Sequence, residues 1–183
     1  MKISVLLLLF SACTIIAHAQ NKYYTKSGKI DFYSKAPLED IEAKNKSVIC
    51  VLDTQTGTLQ FSVLIKGFEF KNEEMQDHFN SDYLESDKYP KAEFKGQILN
   101  NSSINYTQPG TYPAQVKGLL TIHGITKEVQ TNGTITTTTD GLKASATLTI
   151  QVADYNIKIP ALVRDKIAKT VKIIVDCNLD PLK

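Results

Sequence analysis

Between Leu142 and Val152 the chain alternates without a fault: Leu142, Ala144, Ala146, Leu148, Ile150 and Val152 fall on even positions, while Lys143, Ser145, Thr147, Thr149 and Gln151 fall on odd ones. A period of two is the signature of a strand with one dry and one wet face, because successive side chains of extended backbone point to opposite sides. A helix would scatter the same residues around its circumference. The pattern recurs in Leu59, Phe61, Val63 and Ile65; in Ala92, Phe94 and Ile98; in Tyr112, Ala114, Val116, Leu120 and Ile122; and in Val171, Ile173, Val175, Cys177 and Leu179. Weaker versions occupy Gly28 to Ser34, Ser47 to Asp53 and Thr126 to Thr136. The expectation is eight strands.

The connections near Thr56-Gly57, His123-Gly124 and Asp140-Gly141 are short and carry glycine, which suits hairpins between antiparallel neighbours. Two segments leave the rhythm. Asn72 is placed to cap a helix starting at Glu73 and Glu74, with Met75 and Phe79 four apart on one face, and Pro160 opens a second short helical stretch through Ala161, Leu162, Val163 and Ile167. One-faced antiparallel strands in this number close as a barrel, which leaves no free edge; a two-sheet sandwich is the rival architecture. A barrel of eight strands is either filled by its own side chains or holds one small ligand. Gly96, Gly118 and Gly133, with Ala114, Ala144 and Ala146, share the apolar parity and send little volume inward. Parity leaves open whether they make room for a guest or match bulky residues across a tapering core.

Ahead of the strands, Lys2 precedes an apolar run from Ile3 to Ile16, and Ala17-His18-Ala19 has the small-x-small form of a cleavage site. Residues 1–19 therefore read as a secretory signal peptide and residues 20–183 as one mature β-domain, periplasmic or secreted, without a transmembrane anchor after cleavage. Phe10-Ser11-Ala12-Cys13 offers an alternative, a lipoprotein tethered through Cys13. Basic and acidic residues nearly balance, at 21 Lys and Arg against 19 Asp and Glu. Such a charge gives no electrostatic case for nucleic acid. Cys50 and Cys177 both fall in expected strands, and the sequence does not decide whether they pair.

Two blocks go beyond pattern. The first is His78-Phe79-Asn80, then Tyr83-Leu84-Glu85-Ser86-Asp87-Lys88-Tyr89-Pro90 and Ala92-Glu93-Phe94-Lys95-Gly96; the second runs from Gly118 through His123-Gly124 to Lys127. Together with Ile30 to Ser34 and Phe61-Ser62-Val63 they closely resemble the YceI-like family of bacterial envelope proteins. The resemblance implies an all-β fold, a lipocalin-like eight-stranded antiparallel barrel with one or two short capping helices. It further implies that the interior takes a long-chain isoprenoid or other amphiphilic lipid. On that basis the lining is expected to comprise Phe32, Phe61, Val63, Met75, Phe79, Phe94, Leu120, Ile122, Leu148, Ile150, Val152, Ile173 and Val175. Met75, Phe79 and Tyr83 have a plainer alternative, closing the core.

Catalysis finds little support in the residues. His78 and His123 are the only histidines beyond the leader, and neither stands in a His-Glu-x-x-His run, beside a Gly-x-Ser-x-Gly elbow or near a pair of cysteines at ligand spacing. No enzyme activity, catalytic residue, metal or cofactor is expected. Two other classes stay open: a small envelope enzyme that uses the cavity, and a filled-core interaction module with a Thr-rich outer surface at Thr134 to Thr139. A homodimer is also left open.

Overall fold

The eight alternating segments form a closed circle in the computed structural model, which describes residues 21–163 and 165–182. In chain order the strands are β1 (Lys22–Lys35), β2 (Asp40–Asp53), β3 (Thr58–Leu64), β4 (Glu69–Phe70), β5 (Lys91–Ile98), β6 (Gly110–Ile122), β7 (Ile125–Thr137), β8 (Leu142–Gln151) and β9 (Thr170–Pro181). Each long strand pairs antiparallel with its neighbours, and pairing of β1 with both β2 and β9 closes the ring. The expected eight-stranded barrel is present, and the sandwich is not. β4 is a two-residue addition on the edge of β2. The expected leader, its cleavage site and Cys13 lie outside the described residues.

Several boundaries differ from the sequence reading. β1 and β2 run several residues beyond the apolar alternation, because Lys22 to Lys35 and Asp40 to Asp53 pair with one another along polar stretches that carry no pattern. Ile65 leaves the strand for a 3-10 turn (Ile65–Gly67), and Val152 starts another (Val152–Tyr155), although both keep the inward direction of the strands that they follow. The helix expected after Asn72 is α1 (Glu73–His78), with Asn72 Oδ1 accepting from the N–H groups of Glu74 and Met75. The stretch after Pro160 makes one 3-10 turn, Ala161–Val163, rather than a longer helix.

The two ends of the barrel differ. At one end lie the start of β1, the end of β9 and the turns β2–β3, β5–β6 and β7–β8, and here the interior is solid. Leu52, Leu59, Ile98, Leu142 and Leu179 are buried, and the β5–β6 loop drops Ile104 onto them as a plug. Each such side chain contributes roughly 1.5–3 kcal/mol by leaving water. The plug is held by Asn101, whose Nδ2 donates to the Thr54 carbonyl at 2.9 Å and whose Oδ1 accepts from the Tyr106 hydroxyl at 2.7 Å. Burial pushes the Tyr106 hydroxyl up to about 12. Cys50 and Cys177 belong to the same core, both fully buried and not joined by a disulfide, and the hydrogen bond with the Cys177 thiol, with burial, pushes the Cys50 thiol up.

At the opposite end the connections include α1 and the long β8–β9 loop. The β6–β7 turn here is His123-Gly124, both at positive φ (50° and 73°), the backbone of a two-residue hairpin that matches strand twist. A Cβ at Gly124 would also come within 2.6 Å of the Tyr89 ring. His123 does more than turn the chain. Its Nδ1 donates to the Tyr155 carbonyl at 3.1 Å, its Nε2 lies 2.7 Å from Glu85 Oε2, and Tyr89 meets it edge-on at 4.6 Å. The two sequence blocks thus meet in space, and the latch they form ties the segment after α1 and the start of the β8–β9 loop to the barrel rim.

Candidate functional site: an apolar cavity in the open half of the barrel

Above the solid floor the interior is hollow. A cavity of about 500 Å³ runs from Leu59, Ala114, Val116, Ile135 and Ala144 up to α1 and the β8–β9 loop. Its volume falls within the range of small-molecule sites, ~300–1,000 Å³. The structure places all the residues expected on the wall at this cavity: Phe32, Phe61, Val63, Met75, Phe79, Phe94, Leu120, Ile122, Leu148, Ile150, Val152, Ile173 and Val175. Tyr83 joins them.

The small residues divide. Ala114, Gly133, Ala144 and Ala146 face the cavity. Gly96 and Gly118 stand opposite one another on β5 and β6, and the Phe94 ring lies over both. Those two glycines seat an aromatic side chain and open no space, so parity overstated the room they provide.

Aromatic residues gather on one side of the mouth. Phe79 stacks on Phe32 at 5.5 Å and also meets Phe68 at 5.7 Å and Phe70 at 4.9 Å. Phe79 enters this cluster because the chain passes from α1 into a wider π turn, Phe79–Tyr83, closed by Leu84 N–H donating to the Phe79 carbonyl at 2.9 Å. Such turns are frequent at functional positions. Phe79 therefore serves both alternatives at once, packing against core residues and lining the cavity.

Several wall residues escaped the sequence reading. Phe68 and Phe70 sit in the irregular stretch around β4, and Ile157, Ile159, Val163 and Ile167 come from the β8–β9 loop. Their apolar character was visible, but without a period nothing in the sequence says which way such residues point.

Polar groups gather at the rim: Glu39, Asn72, Glu74, His78 and Lys166 all border the opening. His78 Nδ1 lies 2.7 Å from Asp82 Oδ2, with Glu74 Oε1 at 3.8 Å from Nε2. The hydrogen bond to Asp82 holds the His78 imidazole above its ordinary value, and the same bond holds the Asp82 carboxyl below its own. What the raised histidine adds to stability is complete below its unfolded pKa and is lost as pH rises through the folded one; the Asp82 share is lost as pH falls. The pair thus steadies the helical segment between those limits. In an NMR titration His78 should show a midpoint above the ordinary histidine value, returning toward it in Asp82→Asn; an unchanged midpoint in the variant would remove Asp82 as the cause.

The barrel wall also has a seam. β7 pairs with β6 over its whole length, yet pairs with β8 only at Gly133–Thr137 against Leu142–Ala146. Toward the mouth the two strands part, bridged by Thr131 Oγ1 donating to the Thr147 carbonyl at 2.7 Å. Thr131, on the parted stretch of β7, borders the cavity at this seam.

Comparison with known proteins agrees with this architecture. A polyisoprenoid-binding domain from Saccharophagus degradans, implicated in plant cell wall breakdown, superposes with a TM-score of 0.77 at 13% identity, covering 88% of this chain and 99% of that one. BcnA of Burkholderia cenocepacia gives 0.67 at 20% identity, over 83% and 95% of the two chains. The YceI protein of Campylobacter jejuni gives 0.51 at 19%, over 72% and 80%. No curated protein matches the sequence. At these identities the likeness concerns the fold. The sequence profile of the YceI-like domain, however, matches residues 17–179, and the chain belongs to the YceI-like domain family.

Proposed function

We propose that the protein binds a long-chain isoprenoid or similar amphiphilic lipid in its cavity and carries it through the bacterial envelope without acting on it chemically. The observation that supports this most is the distribution of polarity: a wall predominantly of apolar side chains through the depth of the hollow, with Glu39, Glu74, His78 and Lys166 toward its mouth. A chain lying among Phe61, Phe94, Leu120, Leu148 and Ile173 would gain about 0.8 kcal/mol for each methylene removed from water, less the cost of ordering it. Its polar end would remain at the mouth. The binding role named for the Saccharophagus degradans domain, which shares the fold, points the same way.

A binding role also suits the charged side chains present. His78 is engaged by Asp82 and Glu74 at the rim, and His123 is spent on the Glu85 and Tyr155 contacts, away from the cavity wall. The envelope location rests on the leader sequence: cleavage after Ala19 would release the barrel, whereas lipidation of Cys13 would tether it, and the intact mass of the mature chain distinguishes the two. Protein purified from its native envelope, extracted with organic solvent and analysed by mass spectrometry, should yield one lipid per chain. Absence of any stoichiometric lipid would overturn the proposal.

A further inference from the structure

We infer that the protein docks on an anionic membrane surface through the β8–β9 loop and the adjoining β1–β2 turn, which brings the open mouth of the barrel against the bilayer. The inference goes beyond lipid binding in the cavity and can fail independently of it.

The β8–β9 loop has two apolar sides. Ile157, Ile159, Val163 and Ile167 face the cavity, while Pro160 and Ala161 are exposed and Leu162 is 95% exposed at the tip. Singly exposed leucines are common on surfaces, but this one has company. Leu38 in the β1–β2 turn is 71% exposed, and its N–H donates to the Asp165 carbonyl at 3.0 Å. A second tie runs from Ala168 N–H to Ser34 Oγ at 3.1 Å. The two leucines are therefore carried by loops fastened to each other at the mouth. The base of the longer loop is closed by Val152 N–H donating to the Lys169 carbonyl at 2.9 Å.

Charge selects the partner. From Asn156 to Lys169 the sequence holds Lys158, Arg164, Lys166 and Lys169 against Asp165 alone. Exposed leucine flanked by lysine is the composition that enters the headgroup region of an anionic bilayer, the apolar side chain partitioning while the cations meet lipid phosphates. Among the acidic residues of this end, Glu73, Glu74 and Asp77 belong to α1, which packs beside β4 on the edge of β2, while Glu39 lies in the β1–β2 turn and Asp154 near the start of the β8–β9 loop. The excess of cations and the exposed leucine tip both belong to the β8–β9 loop, so an anionic surface would take the barrel tilted onto that loop.

The test is sedimentation of the full protein with vesicles made of phosphatidylglycerol and phosphatidylethanolamine in equal parts, set beside pure phosphatidylcholine vesicles. Binding should be at least about tenfold stronger to the anionic vesicles and should weaken as salt is raised. Leu162→Asp should reduce it about tenfold, as should Lys158→Glu with Lys169→Glu, which should also flatten the salt dependence. None of these three side chains lines the cavity, so the variants should keep the thermal midpoint and the lipid content of the parent. Wild-type protein that does not sediment with anionic vesicles, or variants that bind as well as wild type, would overturn the inference. So would a concentration-dependent dimer that Leu162→Asp dissolves while vesicle binding is absent, which would assign the face to a second copy of this chain. Cavity lipid is read separately, in the extracted protein.

Discussion

Replacing Ala92 and Ala146 together by phenylalanine should leave the barrel folded and empty it of lipid. Ala92 on β5 pairs with Val63 and Ala146 on β8 pairs with Gly133 and Val175; both are half-buried and border the cavity from separate parts of the strand circle. A phenylalanine at each would project a ring into the space a chain is proposed to occupy. Burial of such a ring contributes about 1.5–3 kcal/mol, while overpacking costs about 1–3 kcal/mol, so the net effect on stability should be small. The solid end, with the buried Leu52, Ile98 and Leu179, lies below both sites and is left unaltered. Lipid recovered by extraction should fall to less than about a tenth of the parent value, while the unfolding free energy changes little, by about 1 kcal/mol or less. A double variant that folds and keeps one lipid per chain would show that the lipid lies outside the cavity.

Replacing His123 by alanine should destabilise the protein by about 2–4 kcal/mol, because it leaves the Tyr155 carbonyl and the Glu85 carboxylate without their shared partner. The His123 side chain is only 10% exposed and Tyr155 is buried, so water is poorly placed to reach the Tyr155 carbonyl, whereas the half-exposed Glu85 carboxylate can be hydrated. Part of the loss would come from backbone, since His123 sits at φ 50°, where alanine is strained and asparagine is tolerated. His123→Asn separates the two contributions: it retains the turn but cannot span to both Glu85 and Tyr155. Chemical denaturation of the three proteins measures both. Because the latch holds the segment after α1, lipid exchange should quicken in His123→Ala even under conditions where the barrel remains folded. A loss below about 0.5 kcal/mol in both variants would mean that the latch carries no strain-bearing role.

The histidine also shows where local reading stops. His123 preceding a glycine marks a turn, and the turn is there; that its ring joins Glu85, some forty residues earlier, to Tyr155 has no local sign. Phe79 repeats the lesson. Its spacing from Met75 placed it on a helical face toward the interior, but the chain widens into a π turn at Phe79, and its three aromatic neighbours come from β1 and the stretch around β4.

The strand count, the hairpin order and the inward faces were determined by the sequence alone, since a period of two fixes side-chain direction residue by residue and short glycine turns leave antiparallel pairing as the outcome. The same parity put the strand residues expected on the wall at the hollow, while Met75 and Phe79 followed from helical spacing. Only the tertiary structure decided that one half of the barrel is solid and the other open. That division depends on volumes summed across strands far apart in the chain: Ile104 filling one end from a loop, Phe94 covering Gly96 and Gly118, and the unpaired stretch of β7 and β8 leaving a seam. Alternation tells which way a side chain points. How much space remains when all of them have pointed there is a property of the closed barrel.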